Sequence, residues 1–398
     1  MARVLIGWEL GAGLGHVKRL LAVARGLAAH GYQPVFVLRN LVEPWPALRD
    51  APFPLIQAPQ WQPRPDQTGK PFRAAAISDI FAMQGFDNPD DLMPMVEGWQ
   101  NLINLTRPDL IISDYSPTLC LAAYGVNPMV IVGDGFTMPP HDLPTFPILR
   151  PQFRETLPQK RMLGVIAEVQ RRRNRPSPET LPGLFAAEAR YVCTLPELDP
   201  YRAERKEKVL GPFETPPPPA PLPRKPRFFS YIASDFRGIK NAVRGLAEIK
   251  VPGEIYIRRA SPAMKQALRK RGHHVHDAPA PLLDVLRNAS AIIHHGGIGT
   301  TEAAVGIGRP QVVLPRHMEQ ELTARALEEL GVGVKVSGNF APGAVADALN
   351  TVIDDPQFAE RAGEFAETLR GRGPIDNVER IVQGCLRIVS LGRAERTE

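Results

Sequence analysis

Twice in this chain a short apolar run breaks into a glycine-rich turn that opens a helical pattern, and that pairing constrains the fold more than any other feature. The first run, residues 3–8, leads into Glu9-Leu10-Gly11-Ala12-Gly13-Leu14-Gly15-His16. Val17, Leu20, Leu21, Val23, Ala24 and Leu27 then recur at helical spacing. The second run, Ala289 to Ile293, leads into His294-His295-Gly296-Gly297-Ile298-Gly299-Thr300-Thr301 and the helix start Glu302-Ala303-Ala304-Val305. A turn of this kind leaves backbone N–H groups unpaired at a helix N-terminus, where partial positive charge attracts phosphate.

After the first helix Gly31 stops the pattern and Pro34–Leu38 gives the next strand, a βαβ unit expected to be parallel and right-handed. Further strands are predicted at Leu110–Ile112 and Met129–Val132, with an Ala-rich helix between them. The stretch from Leu41 to about Pro94 is proline-rich and weakly periodic, and is read as loops and short helices. Met83, Met93, Met95, Trp61 and Trp99 in that region serve either as core or as an apolar acceptor pocket. A proline run at 211–221 marks a boundary, read as a stiff extended spacer. Beyond it a second βα pattern begins at Arg227–Ile232, with strands near 254–257, 274–276, 291–294 and 311–314. An amphipathic helix spans about Val378 to Leu391, followed by a charged tail. The expected domains are 1–210, a linker at 211–226, 227–375, and a C-terminal helix and tail at 376–398 that packs back on the first domain.

Composition excludes several classes. At 398 residues, 43 % apolar, the chain suits two globular α/β domains. Three scattered cysteines with no Cys-x-x-Cys pair give neither a disulfide scaffold nor a zinc site. The net charge of +6 gathers in runs such as Arg171-Arg172-Arg173, but no aromatics interleave with them. A solvated helix face is the reading, and no nucleic-acid partner is expected. His273, His274 and His276 lack a ligand companion and read as a strand edge rather than a metal site. No apolar run is long enough to span a membrane, and the N-terminal run is too short for a signal peptide. A cytoplasmic location is expected, with peripheral membrane contact left open.

The segment from Pro279 to Gly333 carries the Gly-rich turn, Gly308-Arg309-Pro310-Gln311-Val312-Val313-Leu314-Pro315, Glu319-Gln320 and Ala326 to Gly333 in order. It resembles the donor-binding signature of the UDP-glucuronosyltransferase-like (family 1) glycosyltransferases, especially bacterial macrolide and natural-product members. The resemblance implies the GT-B fold, two Rossmann-like doubly wound domains facing across a cleft. It also implies an inverting, metal-independent transfer of sugar from a UDP- or TDP-sugar to an acceptor hydroxyl or other nucleophile. The nucleotide sugar would be a co-substrate; no cofactor and no metal are implied, and no Asp-x-Asp pair argues for magnesium.

Within the resemblance, Gly15, His295, Gly297, Gly299 and Thr300 hold the diphosphate, with His294 closing the strand. Asp277, Ala278 and Pro279 read the base, and Glu319 and Gln320 bind hydroxyls of the donor sugar. His16 is the catalytic base and Asp114 its orienting carboxylate, with Asp134 in reserve. The chain departs from the family where a ribose-binding Glu is replaced by Ala303, where Thr323 replaces the usual Asn, and where the loop Ala233-Ser234-Asp235 lacks a glycine. The form Gly13-Leu14-Gly15-His16-Val17-Lys18-Arg19 also resembles UDP-sugar hydrolases in which the histidine activates water, and lipid-intermediate transferases of peptidoglycan synthesis. Arg19 is left between a phosphate contact and a helix-surface residue. Hydrolysis of a nucleotide sugar, and a non-catalytic nucleotide-sugar-binding helper protein, are the alternative functions.

Overall fold

The computed structural model describes residues 1–62, 72–338 and 340–394. Residues 63–71 of the irregular segment and 395–398 of the expected charged tail lie outside that set. The chain divides into two compact units, Met1–Phe213 with Asp376–Glu398, and Glu214–Ile375.

The first unit holds six parallel strands: β1 (Arg3–Trp8), β2 (Gln33–Leu38), β3 (Leu55–Gln57), β4 (Leu110–Asp114), β5 (Met129–Gly133) and β6 (Ala189–Val192). Their order is β3-β2-β1-β4-β5-β6. The central strands are buried almost throughout because helices cover both faces of a parallel sheet. The second unit holds β7 (Phe228–Ala233), β8 (Gly253–Arg258), β9 (His274–Val275), β10 (Ala291–His294), β11 (Gln311–Val313) and β12 (Gly333–Lys335), in the order β12-β11-β10-β7-β8-β9. Counted within its own unit, each sheet runs 3-2-1-4-5-6, the doubly wound order. Its switch point lies between the first and fourth strands, where ligands bind. In the first unit that point falls between β1 and β4, and in the second between β7 and β10.

Two stretches differ from expectation, the irregular region and the proline run. The irregular region contains the edge strand β3 and an 18-residue helix, Pro89–Thr106. The helix starts ahead of Pro94 because Asn88 caps it through Asp90 N–H and Pro89 takes a position that needs no donor. Of the apolar residues there, Met95 and Trp99 are core, whereas Met83 is exposed. The proline run divides: Gly211 and Pro212 accept from Asn377 of the first unit, whereas Pro216 to Pro221 pack on the second. Ala220 N–H donates to Ile307 O, and the buried Arg309 guanidinium donates to the carbonyls of Ala220, Pro221 and Leu286. The helix Asn377–Ala394 belongs to the first unit, where Ile381, Val382, Cys385 and Val389 share a core with Val17, Leu20, Val23 and Leu27. The basic run is neutralised locally: Arg171 and Arg172 pair with Glu168, and Arg173 with Glu97.

Candidate functional site

In the first unit β1 and β4 deliver the two ends of a buried polar cluster. Past β1 the chain turns at Gly11, whose φ of +85° is left-handed; a Cβ there would sit 2.7 Å from His16 Nε2. Leu10 N–H donates to Tyr115 O, and Arg39, just past β2, donates to Gly11 O. The helix Gly15–Ala29 then carries His16 and Arg19 one turn apart on its buried face. The His16 ring stacks on Trp8, centroids 5.2 Å apart, and runs nearly parallel to the Tyr115 ring.

Asp114, at the end of β4, is fully buried. Its Oδ1 lies 2.9 Å from His16 Nδ1. Arg19 donates through Nε to Oδ2 at 3.1 Å and through Nη2 to Oδ1 at 3.3 Å. Arg19 also lies 3.8 Å from Asp134 Oδ2, so the reserve carboxylate pairs with the arginine. Burial pushes the Asp114 carboxyl upward, but the charges of Arg19 and His16 outweigh it and hold the group below the usual range. An ionised carboxylate only accepts, so Nδ1 of His16 carries a ring proton, and in the neutral ring the lone pair is on Nε2.

A second acid, Glu9, was not singled out from the sequence. Its carboxylate accepts from Thr118 N–H at 3.0 Å and from Trp61 Nε1 at 2.9 Å, and also pairs with Thr118 Oγ1. Burial raises it above the usual carboxylate value despite these bonds.

In the second unit the Gly-rich turn joins β10 to the helix Ile298–Ile307. Gly296 has φ +87°, and a Cβ there would meet Val313 Cγ1 at 2.9 Å and Gln320 O at 3.1 Å, so only glycine fits. Gly297 and Gly299 face open space, and Thr300 is half-buried beside them. The N–H groups of this first turn are thereby open to an anion. Thr301 turns inward, its hydroxyl donating to Gly297 O.

Both ring nitrogens of His295, the residue expected to meet a diphosphate, bond backbone groups. Its Nδ1 donates to Leu314 O at 2.8 Å and its Nε2 accepts from Ala233 N–H at 2.9 Å. Burial, with the Arg316 charge, pushes this histidine down to about 4, so it stays neutral and staples the loop after β7 to the loop after β11. His294 accepts from Gly296 N–H at 3.2 Å and closes the turn.

Gln320 is buried, its carboxamide oxygen accepting from Arg316 N–H at 2.9 Å, and Glu319 is half-buried beside it. Asp277, Ala278 and Pro279 form an exposed loop after β9, with Asp277 paired to Lys265 and Arg269. His276 pairs with Glu254, and among the described residues no cluster of acids, histidines or cysteines could hold a metal ion.

Two doubly wound units, each with polar groups gathered at its own switch point, define an α/β protein of the GT-B glycosyltransferase fold. Along 99 % of its length the chain resembles the structure of CalG4, the calicheamicin glycosyltransferase, covering 99 % of that chain with a TM-score of 0.70 at 16 % identity. Residues 257–383 match the Erythromycin biosynthesis protein CIII-like C-terminal domain. Two relatives match over a shorter stretch of the chain. Elloramycin glycosyltransferase ElmGT of Streptomyces olivaceus is 41 % identical over 92 residues, 23 % of this chain and 22 % of that protein. The 10-deoxymethynolide desosaminyltransferase of Streptomyces venezuelae is 37 % identical over 106 residues, 25 % of each chain. The matched segments thus span a quarter or less of these relatives.

Proposed function

We propose that the protein is an inverting, metal-independent glycosyltransferase that moves a sugar from a UDP- or TDP-sugar to an acceptor hydroxyl. The observation that carries this reading is the His16–Asp114 contact of 2.9 Å, which leaves Nε2 of a buried, stacked imidazole as the proton acceptor. Nε2 takes the proton of the acceptor hydroxyl as its oxygen attacks the anomeric carbon. The bond from that carbon to the diphosphate oxygen breaks on the opposite face, so configuration inverts and the electron pair leaves with the diphosphate. Asp114 stabilises the imidazolium that forms.

The departing charge is received by the open first turn of Ile298–Ile307, with the N–H groups around Gly297–Gly299 and the Thr300 hydroxyl as donors. Glu319 is placed to accept from sugar hydroxyls, and the main chain at Asp277–Pro279 reads the base. The relatives named above, a glycosyltransferase of elloramycin and a desosaminyltransferase, support an acceptor of natural-product type. The test is His16→Ala in an assay of sugar transfer with excess chelator. Transfer should be lost while nucleotide binding persists, and the wild-type rate should not respond to the chelator. Undiminished transfer by the variant defeats the base assignment.

Hydrolysis of the donor is the second reading, favoured by the Gly-x-Gly-His-Val-x-Arg loop. Free sugar released stoichiometrically and rapidly without acceptor would select it.

A further inference from the structure

At the open edge of the second sheet three arginines converge on a single carboxylate. Asp235, in the loop after β7, accepts from Arg316 Nη1 at 3.0 Å and from Arg258 Nη2 at 3.4 Å, and Arg259 Nη1 stands 4.0 Å away. These residues come from the ends of β7, β8 and β11. Arg259 holds a left-handed φ of +58°, and its carbonyl is fixed by the Ser234 hydroxyl at 2.7 Å. Arg316 is tied to the Gly-rich turn: its N–H bonds Gln320, and its charge depresses His295. The Arg316 Nε–H is buried and has no hydrogen-bond partner among the described residues. A buried donor without an acceptor calls for an oxygen that the protein does not itself supply.

Among the described ion pairs these three arginines share one carboxylate, Asp235. Gathering three guanidinium groups costs mutual repulsion, seen in Arg316, where burial and the neighbouring Arg258 hold the group below its ordinary value although Asp235 opposes them. A diphosphate carries more charge than one carboxylate and offers several oxygens at guanidinium spacing.

We propose that Asp235 occupies the place of a donor phosphate, and that a nucleoside diphosphate displaces it to take Arg316, Arg258 and Arg259 as its own counter-charge. This rests on the glycosyltransferase reading and deepens it: the arginines select the diphosphate and neutralise it as it leaves, and Asp235 keeps them assembled between turnovers.

The experiment is titration calorimetry of the full chain with UDP, TDP, UMP and inorganic pyrophosphate, repeated for Asp235→Asn and Arg316→Gln. Asp235→Asn removes the competing charge and should tighten UDP, TDP and pyrophosphate about 3- to 10-fold at low salt, the gain shrinking as salt screens it. Arg316→Gln should weaken the nucleoside diphosphates about 10-fold or more while UMP changes little, since one charge-assisted contact is lost. Arg259→Gln, on a side chain that is 63 % exposed, repeats the second test where folding is not at risk. Equal losses for UMP and UDP, no change in any variant, or weaker binding by Asp235→Asn would overturn the proposal while leaving the transferase reading in place. A wild-type protein that binds none of the ligands would overturn both.

Discussion

Arg19 and Asp114 form a buried, two-point ion pair, with Arg19 Nε on Oδ2 and Nη2 on Oδ1 of the same carboxylate that faces His16. Asp114 therefore divides its charge between a permanent cation and an imidazole that becomes cationic only during turnover. In the proposed mechanism Arg19 is a positioning residue: it fixes the carboxylate and tempers its pull on the ring.

Replacing Arg19 by Met removes the permanent cation. The full charge of Asp114 then falls on His16, so the acidic limb of the kcat/KM profile should move to higher pH, with nucleotide affinity unchanged. Asp134 and Cys193 also face Arg19, and Trp8 and Tyr115 lie beside His16; none of these four is a cation. A profile that falls in height without moving along the pH axis would show that Arg19 is only structural.

His16→Gln should reduce kcat about 10²- to 10⁴-fold, the usual contribution of a positioned base. Dissociation constants for UDP and TDP should stay within about twofold, because the turn at 296–300 belongs to the other unit. Steady-state kinetics and calorimetry on the same preparation check both halves.

Gly11→Ala should disable the protein without touching a titratable group. The new methyl would lie 2.7 Å from His16 Nε2 on a backbone of φ +85°. The left-handed strain alone costs about 1–2 kcal/mol. The expected outcome is a lowered melting temperature and at least about a tenfold fall in kcat.

The two units should respond to acid in different ranges. His295, held near 4, and His294, held near 3 by burial, are neutral in the fold yet ordinary in the unfolded chain. As pH falls below about 6.5 the unfolded chain binds more protons, and stability of the second unit drops through that window. In the first unit Asp114, lowered in the fold, contributes stability above its unfolded value of 3.8 that is lost only below it. Glu9 has the opposite sign: raised in the fold, its contribution is complete below 4.5 and is lost as pH rises through its folded value. Hydrogen exchange between pH 7 and 4.5 should show the second unit opening first. Earlier opening of the first unit would contradict the assignment.

The doubly wound pattern was legible wherever a strand lay at the centre of its sheet, because burial on both faces leaves an uninterrupted apolar run, as in Val4–Ile6 and Ile111–Ile112. β3, β6 and β12 escaped because each is a short strand at the edge of its sheet, only partly buried and without an uninterrupted apolar run. His16 and Asp114 could be read from their turn and strand end. Arg19 could not, since helical spacing alone does not say whether a carboxylate from β4 will meet it. Arg316 and Asp235, 81 positions apart, gave no local signal. The commitment of both His295 nitrogens to Ala233 and Leu314 was equally hidden, for a motif names a residue without naming its hydrogen bonds.

The placement of Asn377–Ala394 in the core of the first unit has a consequence for synthesis. The second unit is contiguous and can close once Ile375 has left the ribosome. The first unit, although its strands are translated earlier, lacks Ile381, Val382, Cys385 and Val389 until the helix Asn377–Ala394 emerges, and its groove along Val17, Leu20 and Leu27 stays bare until then. The half that carries the proposed base therefore cannot complete its core before the second unit has been made.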